Sequence, residues 1–180
     1  EGKYVTLTRL IKRGECMDAH EFWAALKNRG LFFFSGVPDS TFQHAYNVMI
    51  SDPNIRYVPA VREDVALGIA SSAYFVDELG GVIMQNSGVG NLVNPLTSFN
   101  LLYKVPALLI VGWRGYGGPP NDAPEHWVMG AKTPAILDLL GVPYEILGPD
   151  NLDAALDRLL TAIKDRSVPG AMLIRAGIID

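Results

Sequence analysis

Gly80-Gly81-Val82-Ile83-Met84-Gln85-Asn86-Ser87-Gly88-Val89-Gly90-Asn91 carries an apolar run, then a polar glycine-rich stretch, then the start of another apolar segment. Residues 82–85 read as a buried strand, and Gly80 and Gly81 as the end of the unit before it. Residues 86–91 read as a loop, whose glycines admit backbone conformations closed to other residues and let a ligand approach closely. A helix to about residue 103 follows. Strand, loop and helix in this order are the repeating step of a parallel sheet covered by helices.

The same step recurs on both sides. Upstream, 31–35 is a continuous apolar strand, 36–39 a turn and 40–50 a helix; 55–59 is a weaker strand and 62–76 an alanine-rich helix. Residues 18–29 read as a further helix, opened by Asp18 with Glu21 as a capping box and stopped at Gly30. Downstream, 107–112 is a strand and 113–132 a long Gly- and Pro-rich irregular segment. A helix over 133–140 has Pro134 at its first position. Residues 142–147, 152–164 and 171–175 then give strand, helix and strand. The expectation is one α/β domain of three layers with about six parallel strands. No internal repeat, low-complexity tract or linker interrupts it.

Composition narrows the function. Of 180 residues, 49% are hydrophobic, enough for a sizeable core and too many for disorder. A net charge of −4 argues against nucleic acid as the main partner. No apolar run approaches the roughly 20 residues of a membrane span, and the first residues lack a signal-peptide core. The single cysteine, Cys16, excludes an intramolecular disulfide and any cysteine-cluster metal site. A cytoplasmic location fits these facts.

In such sheets ligands bind beyond the carboxyl ends of the strands. Four segments leave those ends, 36–40, 59–64, 86–91 and 113–132, and they hold the unusual residues of the chain. Asn86, Ser87, Asn91 and Asn94 offer neutral donors and acceptors, although Asn91 also suits a helix cap. Neither the dinucleotide G-x-G-x-x-G spacing nor a Walker lysine is present, which places a nucleotide-binding domain last among the alternatives. Glu63 and Asp64 open a helix, where carboxylates complement the helix dipole and one of them can face a crevice. Asp39 and Ser40 have a capping reading beside a ligand-facing one. His126, in a loop with neighbouring carboxylates, is a candidate proton carrier, whereas His20 and His44 fall on helix surfaces. Arg62 and Arg114 suit either an anionic substrate or a tied-down loop.

Together these segments resemble phosphonopyruvate and sulfopyruvate decarboxylases. The resemblance rests on G-V-P-D-S (36–40), R-E-D-V-A-L-G-I-A (62–70), Q-N-S-G-V-G-N-L-V-N-P-L-T-S (85–98) and G-W-R-G (112–115), and runs from about residue 31 to 147. It implies thiamine diphosphate and Mg²⁺ as cofactors. It further implies an active site between a pyrimidine-binding domain, here residues 18–180 after an N-terminal extension 1–17, and a diphosphate-binding β subunit or domain. Glu63 matches the glutamate that contacts N1′ of the aminopyrimidine, where a carboxyl favours the tautomer able to take a proton from the thiazolium; Asp64 is the fallback. Asp39 and His126 match proton-transfer or substrate-orienting groups. Ser87, Gly88 and Asn91 match the cofactor-lining loop, and Ser40, Asn86 and Arg114 are expected at the substrate, Arg114 on its sulfonate or phosphonate. No Gly-Asp-Gly metal motif occurs in the chain, so the metal is expected on the partner and none on this chain. The resemblance is to the separate α-subunit form, self-associating within a hetero-oligomer. A non-catalytic α/β scaffold or regulatory module is the alternative of another class.

Overall fold

Apolar residues alternate sides along each central strand, and the alternation splits the core in two. The computed structural model describes residues 16–180. In β4 (Leu108–Gly112), Leu108 and Ile110 enter one cluster while Leu109 and Val111 enter the other. In β6 (Gly170–Ile174), Met172 and Ile174 oppose Ala171 and Leu173, and in β3 (Gly80–Gln85) Ile83 opposes Val82 and Met84. With β1 (Phe33–Gly36), β2 (Arg56–Pro59) and β5 (Tyr144–Leu147) they form an all-parallel sheet of order β2-β1-β3-β4-β6-β5. Helices α1 (Ala19–Lys27), α2 (Gln43–Ser51) and α7 (Leu152–Arg166) bury their apolar faces on one side. Helices α3 (Glu63–Ser71), α4 (Val89–Pro95) and α6 (Pro124–Leu140) cover the other. The expected three-layer α/β architecture is what forms.

Local chemistry explains the ends of the elements. The Asp18 carboxylate accepts from the amides of His20 at 2.8 Å and Glu21 at 3.1 Å, so it caps α1. The chain leaves α1 through Gly30 at φ +83°, a left-handed conformation that suits glycine. Phe22, Trp23 and Leu26 are buried from α1, each contributing about 1.5–3 kcal/mol. Trp23 Nε1 also donates to the carbonyl of Ala45 at 2.7 Å, tying α1 to α2. Of the expected extension 1–17, residues 1–15 lie outside the described residues, while Met17 is buried and pairs in parallel with Ile179.

Four expectations are corrected. Gly80 and Gly81 do not end the preceding unit; they begin β3. A Cβ on Gly80 would lie 2.1 Å from the carbonyl oxygen of Ala70, and one on Gly81 2.4 Å from the ring of Phe34. These glycines are there because α3 and the Phe34 ring press on the strand. Residues 113–132 are not irregular throughout, because α6 starts at Pro124, with that proline in its first turn. Pro134 is therefore inside α6, not at its start. It lacks the N–H that would reach the carbonyl of Gly130, and Trp113 Nε1 donates to that carbonyl instead, at 2.8 Å. The helix after residue 88 is not uniform either: α4 ends at Pro95, Leu96–Asn100 form a π-helical turn, and a short α5 (Leu101–Tyr103) follows.

The strand order makes the chain diverge at the carboxyl edge. From β1 it runs to α2 on one face, and from its neighbour β3 to α4 on the other. A crevice opens between such strand ends.

Glycine packing is directly testable. Gly80→Ala should lower stability by about 1–3 kcal/mol, because the carbonyl it meets belongs to backbone. Gly68→Ala, an exposed α3 position with nothing within 4 Å of its Cβ, should raise it by about 0.4–1 kcal/mol. Urea unfolding of the two variants beside the wild type checks both signs.

Candidate functional site

The first turn of α3 carries Glu63 in over the start of α4. Asn91 Nδ2 donates to Glu63 Oε2 at 2.7 Å, and a Cβ on Gly88 would sit 2.4 Å from both Cγ and Cδ of Glu63. The segment 86–91 is thus not a loop: Asn86–Gly88 is a 3₁₀ turn that feeds α4. Gly88 has φ −72°, open to any residue. What requires glycine there is the approach of the Glu63 side chain. Asn91 lies within α4 and holds Glu63, so its capping reading falls. Asp64 turns the other way, to an exposed pair with Arg62 at 2.9 Å, with Arg62 Nε on it as well. Arg62 holds the Asp64 carboxyl below its usual range. The fallback carboxylate and Arg62 are thereby committed to each other.

Asp39 leaves β1 and is buried. Its Oδ1 accepts from Gln85 Nε2 at 3.2 Å, across the divergence between β1 and β3. Its Oδ2 has no partner and rests against Gly112, where a Cβ would come within 2.0 Å. Thr41 Oγ1, beside the same glycine, is also buried and unpaired. Gln85 Oε1 in turn accepts from Ser87 Oγ at 2.6 Å, and Ser87 is exposed. Neither Asp39 nor Ser40 caps α2, which begins without a side-chain cap.

The third cluster centres on Asp122. Arg114 binds it through two nitrogens, Nε to Oδ2 at 2.8 Å and a terminal nitrogen to Oδ1 at 2.7 Å. The amides of Gly115 and Ala123 donate to it at 2.7 and 2.8 Å, and His126 Nδ1 lies 3.1 Å from Oδ1. The Arg114 guanidinium first, then these amides and His126, hold the Asp122 carboxyl far below the usual carboxylate range, against desolvation that pushes it up. His126 therefore stands in the first turn of α6 rather than in a loop. With a proton on Nδ1 donated to Asp122, its Nε2 is the nitrogen left for other partners. The last Arg114 nitrogen donates to Ser40 Oγ at 3.1 Å.

Asn86, expected at the substrate, is buried and works as a clamp. Its amide nitrogen donates to the Arg114 carbonyl and Thr133 Oγ1, each at 3.0 Å, and its oxygen accepts from the Arg114 amide at 3.0 Å. That leaves it fastening β3 to β4 from the inside rather than facing a ligand. Sequence reasoning passed over Asp122 and Gln85. Asp122 carried a signal, an aspartate two residues before a helix-opening proline and four before a histidine. Gln85 carried none beyond its place at a strand end. His20 and His44 are exposed, as expected, with ring centroids 6.4 Å apart.

Asp39, Ser40, Glu63, Ser87, Gly88, Asn91, Arg114, Asp122 and His126 thus collect at the carboxyl edge of β1 to β4. All lie within residues 19–131, which match the family model described as thiamine pyrophosphate enzyme, N-terminal TPP binding domain. The chain belongs to this thiamine pyrophosphate enzyme family. A phosphonopyruvate decarboxylase of Streptomyces viridochromogenes is 34% identical over 165 residues, 91% of this chain and 41% of that protein. Sulfopyruvate decarboxylase subunit alpha of Methanothermobacter thermautotrophicus is 35% identical over 122 residues, 68% of this chain and 73% of that one. The same subunit of Methanocaldococcus jannaschii is 30% identical over 153 residues, 84% of this chain and 89% of that one. The TPP-binding domain here spans well under half the length of the phosphonopyruvate decarboxylases it matches. Among the described residues no helix is long and apolar enough to cross a membrane.

The Asp122 hub of this domain has a pH signature. Its carboxyl is depressed in the fold, so it stabilises above its unfolded value of about 3.9, and the contribution is lost as pH falls below that toward the folded value. Asp122→Asn should cost about 1.5–3 kcal/mol near neutral pH, the worth of charge-assisted hydrogen bonds. The gap to wild type should close as pH falls below about 4. Denaturant midpoints across that range check the sign.

Proposed function

We propose that this chain is the pyrimidine-binding part of a thiamine-diphosphate-dependent 2-oxoacid decarboxylase, converting sulfopyruvate to sulfoacetaldehyde and carbon dioxide. The observation that carries the reading is the placement of Glu63: one carboxyl oxygen tied to Asn91, the side chain seated over Gly88. Among the described residues its other oxygen has no hydrogen-bond partner, so it remains able to bind a ring nitrogen. A partly exposed carboxyl in this cradle fits an aminopyrimidine.

When bound, thiamine diphosphate supplies the electron sink for loss of carbon dioxide. The protein's part is positional and protonic. Glu63 would hold a hydrogen bond at N1′ of the aminopyrimidine, Gly88 lets that carboxyl sit close, and Ser87 and Asn91 would help to hold the same ring. His126, its Nδ1 fixed by Asp122, presents Nε2 to carry a proton at the substrate oxygen. Asp39, buried at the next strand end, orients the reacting acid or takes part in the transfer. Arg114 holds Ser40 and Asp122 in place.

A diphosphate-binding partner, with Mg²⁺ on it, belongs to this reading, supported by the subunit names of the relatives and by the lack of a Gly-Asp-Gly string. Exposed large apolar side chains also support a partner: Val61 before α3, Phe75 and Val76 after it, and Leu102 and Tyr103 on α5. Self-association within a hetero-oligomer and a cytoplasmic location complete the reading, the latter resting on charge and the single cysteine. Phosphonopyruvate is the second substrate reading, favoured by the match over 91% of this chain.

Reconstitution with a diphosphate-binding partner, followed by aldehyde formation, tests this. Glu63→Gln should lower kcat by about 10²–10⁴-fold, the range for a lost acid–base group. Undiminished turnover in that variant sinks the cofactor assignment. Competing sulfopyruvate against phosphonopyruvate on the wild-type complex ranks the two acids.

A further inference from the structure

The chain also diverges farther along the same edge, between β4 and β6. From β4 it passes to α6, on the face that carries α3 and α4. From the adjacent β6 it passes to Ile178 and Ile179, which join the core of the opposite face. Between these strand ends lies a cleft of about 530 Å³, with Trp113, Tyr116 and Asn121 on one wall and Arg175 and Ile178 on the other.

Arg175 is an unusual group in that cleft. Its guanidinium carbon stands 4.9 Å from the centroid of the Tyr116 ring, and Tyr116 packs edge-on against Trp113 at 4.8 Å. Its Nε is buried without a hydrogen-bond partner, and among the described residues no carboxylate pairs with it. Arg29, Arg62, Arg114 and Arg158 each hold a carboxylate. A half-buried cation with no ionic partner loses hydration that the Tyr116 ring offsets only in part, and an incoming anion would offset the rest. The aromatic face orients the guanidinium fork for such an anion. Asp122 also borders the cleft, but its charge is already met by Arg114 and the amides around it.

We propose that Arg175 recognises the anionic group at C3 of the substrate, a tetrahedral oxyanion of the sulfonate or phosphonate class, and that Arg114 does not. Arg114 already donates three of its five N–H groups to Asp122 and Ser40, and the Asp122 carboxylate matches its charge. Asp39 rests on Gly112, Gly112 pairs in register with Ile174, and Arg175 comes next in the chain. Asp39 and Arg175 thus stand at the ends of neighbouring strands. The proposal rests on the 2-oxoacid reading above.

Two measurements test it. On the chain itself, sulfoacetate is titrated while the Trp113 indole resonance is followed. Arg175→Gln should weaken this binding by about 10–100-fold, and Arg175→Lys by less, because it keeps the charge but not the fork. In the reconstituted complex, the preference for sulfopyruvate over pyruvate, as the ratio of kcat/KM values, should fall by about 10–100-fold in Arg175→Gln, through KM. Wild-type probe binding together with an unchanged preference in a folded Arg175→Gln overturns the proposal. Arg175-dependent sulfoacetate binding in a complex that decarboxylates no 2-oxoacid upholds the anion site and removes the decarboxylase reading instead.

Discussion

A carboxyl side chain occupies the space where another residue would carry its Cβ: Glu63 lies over Gly88, and the functional edge is arranged around that contact. Glu63 follows β2 and Gly88 follows β3, yet β1 stands between those strands. The contact therefore spans two strand spacings, about 9–10 Å, above the end of β1. It closes one side of the crevice from which Asp39 emerges. Asn91, one helical turn beyond Gly88, falls on the same face of the new helix and supplies the hydrogen bond that fixes the carboxyl. A larger residue at 88 would push Glu63 away, and the anchoring amide at 91 would lose its acceptor.

The rest of the edge is held by polar groups whose needs are met almost completely, which makes the exceptions informative. Asp122 gathers a guanidinium, two amides and an imidazole. Asn86 uses both amide hydrogens and its oxygen to lock the end of β3 to the backbone after β4. Such networks fix geometry, because removing one member strands a buried partner. Against that background the unpaired Asp39 Oδ2, Thr41 Oγ1 and Arg175 Nε stand out. Each lies at or beside the carboxyl ends of β1, β4 and β6, where a ligand is expected from topology alone. Asn100 Oδ1, in the π-helical turn, is the exception in the scaffold; the other unmet groups lie where chemistry is proposed.

Much of this was legible in the sequence. The near-continuous apolar strands identified a sheet covered on both faces, and the strings around Asp39, Glu63, Gly88 and Arg114 pointed to the edge at which binding is proposed. What could not be read was the reason for individual residues. Gly80 looks like punctuation in one dimension, and only the carbonyl of Ala70 pressing on it shows that it is a packing position. Pro134 matches a helix start by local rules, but the indole of Trp113 takes up the carbonyl it frees, so the helix runs through it. Asn86 looks like part of a binding loop because asparagine is polar; burial reverses its meaning. These are tertiary contacts between segments distant in sequence, and local pattern carries no trace of them.

Arg114 and Arg175 illustrate the same point in chemical terms. Both follow strands and both were open to an anion on composition, although only Arg114 drew notice. In the fold the Arg114 fork matches the Asp122 carboxylate and its remaining nitrogen holds Ser40, so its charge is already compensated by a bidentate pair. Its function is to keep Asp122, and through it His126, in one geometry. Arg175 keeps its charge uncompensated beside an aromatic face. On the proposed reading, an acid with two charged ends needs one cation to build the site and another to read the ligand, and the divergences at β1/β3 and β4/β6 supply places for those separate tasks.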